Sequence, residues 1–239
     1  VGNYIPPEKV EGTKINKPLT KIEKDRVIVL LISFLIVIVF WAAYEQAGGL
    51  MNIYTNEKID RVILGWEIPA SLFQSVPAIF VIIFGTIVAA YWSKRQKKGK
   101  ESSSLFKMAI GTMVMGTGFL MMTGAAFEAQ SGTKAMLIWL ILSYLLQVIG
   151  ELSISPVALS FITKLAPLKY SSIMMGIYFA ATGLGNKVAG LVGELAQKAG
   201  ELEVFTGIFI FCVLFGGLLL IFFKKLKMLT HGAEEIKEI

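Results

Sequence analysis

Charged residues leave long gaps in this chain. None falls within positions 27–44, 68–93, 108–127, 135–150, 170–186 or 204–223. About 20 consecutive apolar residues carry a helix across the ~30 Å hydrocarbon core of a bilayer. Five of the runs reach or approach that length. The run at 135–150 reaches it only if its helix continues through Glu151 to about Thr163. The pattern therefore predicts six transmembrane helices, at about 27–48, 69–93, 107–127, 135–163, 170–194 and 204–223, forming one all-α bundle over 25–225. Outside it, residues 1–24 read as a solvated linker, with Pro6, Pro7 and Pro18 among lysines and glutamates. Residues 226–239 read as a charged tail that frays. Segment 49–67 is expected as the longest external loop, ending at Pro69 in the first position of the next helix. The turn 165–170, with Pro167 inside it, joins two spans as a tight hairpin.

Composition agrees with this pattern: 55% of the 239 residues are hydrophobic and only 17% charged. A net charge of +6 raises the question of nucleic acid, and its distribution answers against it. The basic residues alternate along the chain. Positions 1–26 and 93–107 are rich in them, Lys164 and Lys169 follow the fourth span, and Lys224, Lys225, Lys227 and Lys237 follow the sixth. Only Lys58, Arg61, Lys134, Lys187 and Lys198 fall in the intervening segments. Positive residues mark the cytoplasmic side of a membrane protein, so both termini are expected in the cytoplasm. The Lys94–Lys100 cluster reads as an orientation signal against anionic lipid. The first apolar run lies behind a polar segment and does not resemble a cleaved signal peptide. The chain begins at Val1, which suggests a piece of a longer protein.

Reactive side chains are few. The single cysteine, Cys212, lies within a span, and the single histidine, His231, in the tail. Neither a disulfide within the chain nor a histidine-dependent catalytic set can be built from them, so no metal, cofactor or enzymatic activity is expected. Two glutamates do fall within spans, where an ionisable group costs about 2.5–3.5 kcal/mol on insertion scales and is a functional candidate by default. Glu151 sits near the middle of the predicted fourth helix. Residues four apart share a helical face, which puts Ser143, Gln147, Glu151 and Ser155 on one polar stripe. Lipid offers that stripe no hydrogen bonds, so it must face protein or a water-filled cavity. Pro156 removes the hydrogen bond to the carbonyl of Leu152 and predicts a kink beside the carboxylate.

Glu45 lies at the outer end of the first span, with Trp41 one turn away on the same face. It reads either as an interfacial acid beside an aromatic belt or as an inward-facing group, and neighbouring Gln46 argues for the latter. Small residues recur every fourth position at Ala181, Gly185, Ala189 and Gly193, a spacing that lets helices approach closely. Asn186 and Lys187 stand near the outer end of that helix, where Lys187 either snorkels to the interface or meets a carboxylate such as Glu45. The glycine-rich run at 183–190 lacks the spacing and the preceding strand of a nucleotide-binding loop.

Several of these stretches together resemble the proton-dependent oligopeptide transporter family of the major facilitator superfamily. They are 40–48 (FWAAYEQAG), 73–76 (FQSV), Gly150-Glu151-Leu152 with 155–160 (SPVALS), and 163–167 (TKLAP). The resemblance covers about residues 20–225 and corresponds to the C-terminal six of twelve helices. It implies a symporter of protons and di- or tripeptides, working by alternating access with an N-terminal six-helix half. Glu151 would then meet the peptide amino terminus. Glu45 would take part in proton coupling near the outer gate, with Lys187 and Pro156 as further gate candidates. Tyr178 would stand where the family usually has a pocket-lining Trp. Helical spacing, rather than the resemblance, adds Gln147 and Ser155 beside Glu151 and Trp41 beside Glu45 as candidate substrate contacts.

Two departures matter. The family commonly carries a peptide-contacting Asn where this chain has Pro77. The short loop at 128–133 leaves no room for the large extracellular domain of animal members, which points to a bacterial inner-membrane protein. A related carrier of nitrate or an amino-acid-like solute, and a membrane assembly subunit whose polar groups only join helices, remain open alternatives.

Overall fold

The computed structural model describes residues 18–234. Seven α-helices lie among them: α1 Lys21–Tyr44, α2 Leu50–Lys58, α3 Val76–Lys97, α4 Ser104–Ala129, α5 Leu137–Leu165, α6 Ser171–Ala199 and α7 Glu201–Leu229. The start of α1 is set locally. The hydroxyl of Thr20 accepts from the backbone N–H of Glu23, whose carboxylate accepts from Thr20 N–H at 2.7 Å, a reciprocal capping box. The helix therefore begins within the segment read as linker, most of which (1–17) lies outside the described residues.

Close backbone approach holds the bundle. Helix α4 is pressed between α5 and α7. A Cβ added to Gly111 would lie 2.8 Å from the carbonyl oxygen of Gly150, and one added to Gly150 would lie 2.6 Å from that of Gly111. On its other side, a Cβ at Gly116 would meet Cys212 Cβ at 2.6 Å, which accounts for the burial of that thiol. Without a hydrophobic drive between lipid-solvated helices, such contacts supply much of the attraction. The α1–α6 contact uses the fourfold small-residue spacing. Ala181, Gly185 and Ala189 are buried, and a Cβ at Gly185 would lie 2.8 Å from Trp41 Cβ. Gly193 faces open space instead. Gln46 completes the joint, donating through Nε2 to the carbonyls of Ala42 and Ala189, each at 3.0 Å.

Among the described residues, five segments are long and apolar enough to cross a membrane: Lys21–Lys58, Ala70–Lys97, Ser104–Ala129, Leu137–Leu165 and Glu201–Leu229. The sequence pattern predicted six. Helix α6, which contains the predicted fifth span, is equally long, but Ser171, Ser172, Thr182, Asn186, Lys187 and its glycines dilute its apolar character. The chain is thus a mostly α-helical membrane protein in which α6 is the least lipid-like of the long helices.

The segment expected as an external loop is structured. Gly48 and Gly49 follow a short 3-10 turn at Glu45–Ala47 and interrupt the first helix. Helix α2 then buries Leu50, Met51, Tyr54 and Thr55. A hairpin of β1 (Val62–Ile63) and β2 (Trp66–Glu67) follows, anchored by buried Arg61, which pairs with Glu67 at 2.7 Å. Pro69 precedes a second 3-10 helix at Ala70–Ser75 rather than opening an α-helix.

The described part of the tail is also ordered. Helix α7 runs to Leu229, and the turn beyond it folds back. Arg26 Nε donates to Thr230 O at 3.1 Å, His231 Nε2 lies 2.7 Å from Asp25 Oδ2, and Ser104 donates to Glu234. Residues 235–239 lie outside the described residues. At the same lysine-rich end, Lys227 contacts Glu101 at 2.7 Å. Burial alone would raise the Glu101 carboxyl, but hydrogen bonds from Lys227 and Ser103 outweigh it and hold the group down at about 2. Glu101 therefore stays ionised at neutral pH.

Replacing Gly150 by leucine forces a branched side chain against the α4 backbone. Overpacking of this kind costs about 1–3 kcal/mol, so the G150L protein should unfold at a clearly lower temperature in detergent than the parent, as read by intrinsic fluorescence. An unchanged Tm would mean that the α4–α5 approach is not as tight as described.

Candidate functional site

Helix α5 carries Glu151 at its midpoint, about 21 Å from either end at 1.5 Å per residue. The helix runs through Pro156 without interruption, and Pro156 itself is exposed. Because Gly150 is pressed onto α4, the next residue, rotated by about 100°, turns its side chain away from α4. It opens into a cleft of about 540 Å³ walled by Tyr44, Glu45, Gln74, Pro77, Tyr144 and Glu151, with Ala78, Val81 and Ile82 of α3 among the apolar lining.

Tyr44 supplies the closest contact in this cleft: its hydroxyl donates to Glu151 Oε2 at 2.5 Å. Glu151 has no ion pair and no second hydrogen bond among the described residues. Glu45 has neither, and the two carboxylates are close enough for their charges to repel. Glu45 also reaches a second hollow of about 780 Å³ toward the lysine-poor end, where Glu57, Asn186, Glu194 and Glu201 lie. Among the described residues, no group of three or more His, Cys, Asp or Glu side chains is arranged to hold a metal ion. In chemical terms the cleft offers two uncompensated carboxylates, one of them tied through a single oxygen, beside phenol and amide groups and an apolar wall.

The polar stripe divides. Glu151 faces the cleft, whereas Ser143 and Gln147 are fully buried at the helix contact. Gln147 Nε2 donates to Ser143 Oγ at 2.9 Å and to Met51 Sδ at 3.2 Å, and Gly118 of α4 packs against it. Ser155 Oγ is enclosed without a hydrogen-bond partner and does not line the cleft. Trp41 and Tyr178 adjoin each other on the α1–α6 contact and also stand off the cleft wall. Lys187 is exposed and forms no ion pair among the described residues, while its neighbour Asn186 lines the second hollow with Glu45.

Tyr44, Tyr144 and Gln74 were not singled out as site residues from sequence. Tyr144 had a legible signal, lying two helical turns before Glu151 on the same face. Tyr44 had none beyond adjacency to Glu45, because its partner lies on another helix. Pro77, whose ring occupies the cleft wall, is in the first turn of α3, where the missing N–H costs nothing.

The family model described as POT family matches residues 8–208. The peptide transporter YePEPT of Yersinia enterocolitica is 35% identical over 196 residues, which is 81% of this chain and 38% of that protein. A di-/tripeptide transporter of Lactococcus lactis subsp. lactis is 29% identical over 216 residues, 88% of this chain and 42% of that protein. Among solved structures, the peptide transporter POT in complex with sulfate superposes with a TM-score of 0.81 at 28% identity, covering 88% of this chain and 42% of that one. A POT family transporter in complex with a thioalcohol-conjugated peptide gives 0.80 at 28% identity, covering 88% and 43%. The chain spans less than half the length of each of these proteins.

If the cleft is open to water, a thiol placed at Ala78 should react readily with a membrane-impermeant maleimide in intact membranes. One placed at Ser143 should stay unreactive until the protein is denatured. Equal labelling of A78C and S143C would contradict the division between cleft and helix contact.

Proposed function

The chain belongs to the POT family, and on that premise we propose that it is the C-terminal half of a proton-coupled symporter for di- and tripeptides. The observation that carries the proposal is the uncompensated Glu151 carboxylate at mid-depth of a membrane helix, open to a cleft of peptide size. A carboxylate there is costly unless it is paired. The ammonium of a peptide amino terminus matches it in charge and in hydrogen-bond donors, and the pairing offsets desolvation of both. The apolar wall from α3 suits a side chain. Pro77 presents a ring to the cleft and no donor, so substrate contacts at that point are through shape.

Glu45 fits the coupling role. It sits between the two hollows, within range of Glu151's charge, and has no partner of its own. A proton on Glu45, or an ammonium between the two groups, relieves their repulsion. Moving either group relative to the other as the gates exchange would change how readily the proton is held, which links its release to substrate movement. In this reading the lysine-rich end faces the cytoplasm, both termini included. Pro156 and Lys187 belong to the gate-forming helices α5 and α6. An N-terminal six-helix half closes the open side of the cleft, since alternating access requires two bundles around a midplane site.

The test is uptake of a dipeptide into liposomes by the complete transporter containing this chain, driven by an inward proton gradient. Glu151→Gln should reduce driven uptake at least a hundredfold. Glu45→Gln should abolish gradient-driven uptake while leaving peptide counterflow intact. Wild-type rates in E151Q would overturn the pocket assignment, and unaltered gradient dependence in E45Q would remove Glu45 from the proton path.

A further inference from the structure

We infer that Tyr44 is a positioning residue for substrate, fixing one oxygen of Glu151 so that the other is presented to the incoming ammonium. The inference rests on the peptide-transport reading above and concerns a contact between α1 and α5 that the sequence did not reveal.

The geometry is specific. Tyr44 is the last residue of α1, immediately before the 3-10 turn. Its ring is held from two sides. Phe40, fully buried, stacks on it with centroids 5.4 Å apart and planes at 23°. Trp41 meets it edge-on at 5.6 Å and 81°. Trp41 is in turn seated against Gly185 of α6. A ring clamped in this way leaves its hydroxyl little freedom, so the 2.5 Å contact to Glu151 Oε2 is made by a donor that is already in place. At that length a phenol bound to an ionised carboxylate forms a charge-assisted hydrogen bond, among the stronger non-covalent contacts available.

The consequence for Glu151 is asymmetric. Oε2 is engaged, whereas Oε1 has no hydrogen-bond partner among the described residues. A glutamate side chain on a mid-membrane helix would otherwise sample several rotamers. Tyr44 selects one of them, orienting the free oxygen before substrate arrives, and the ordering entropy is then not charged to binding. The phenol cannot replace a cation, because it leaves the net charge unchanged. Glu151 therefore stays available to an ammonium. Tyr144, on the same face of α5 and on the cleft wall, forms no hydrogen bond with Glu151, so the effect belongs to Tyr44 alone.

The experiment uses the complete transporter in liposomes and measures KM and kcat for a neutral dipeptide with wild type, Tyr44→Phe, Glu151→Gln and the double variant. Phenylalanine keeps the ring clamp and deletes only the donor. The expected result is a KM about tenfold higher in Y44F with kcat within twofold of wild type. The double variant should be no worse than E151Q alone, since Tyr44 acts through that carboxylate. Wild-type KM in Y44F would overturn the inference while leaving the transport reading intact. So would a loss confined to kcat, or a further loss in the double variant, because each assigns Tyr44 a role independent of Glu151. If wild type itself moved no dipeptide, the transport reading would fail; if E151Q matched wild type, the pocket assignment would fail; the inference falls with either. A thermal melt of Y44F separates misfolding from the effect, and Tyr44→Trp, which retains a ring and a donor, serves as the second variant. Y44W should bind more tightly than Y44F if donation is what matters, and equal or weaker binding would count against it.

Discussion

The close approach of α4 and α5 at Gly111 and Gly150 fixes everything that follows in the site. Two backbones meet there with no room for a methyl group on either side. Such contact fixes not only the distance between the helices but also the rotation of α5 about its axis, because only one face of that helix is free of side chains at this level. Glu151 is the next residue. Its direction into the cleft, away from α4, follows from the glycine before it. The apolar face of α3, which packs mainly on α5 and is otherwise poorly covered, then becomes the far wall.

The depth and the face of the carboxylate were legible in the sequence, since helical periodicity fixes both. What periodicity cannot give is the neighbour. Ser143 and Gln147 share a stripe with Glu151, yet Gly118 lets α4 close over them and Met51 of α2 covers the amide. Of a stripe that looked like one cavity wall, only Glu151 therefore reaches the cleft. The same limit explains Tyr44, whose role depends on a residue far away in the chain. It also explains α6, where three of four small residues meet α1 and the fourth, Gly193, faces open space.

Short elements were the other loss. Helix α2 is too brief to give a clear period, and it falls in the segment read as an external loop. Gly48 and Gly49 break the helix inside an apolar stretch, and such a break is easily taken for the end of a span. The tail shows the opposite error. Its charges suggested solvation, and several of them find partners on other elements instead: His231 on Asp25 and Glu234 on Ser104.

The placement of α4 between two partners has a consequence for assembly. Its contact with α5 is local and can form as soon as both helices are in the bilayer. Its contact with α7, through Gly116 and Cys212, joins residues far apart in the chain and needs α7 in place. The glycines that make the bundle tight are thus split between a contact close in sequence, at Gly111 and Gly150, and a distant one, at Gly116. The turn after α7, gripping Arg26 and Ser104, ties that helix to the starts of α1 and α4.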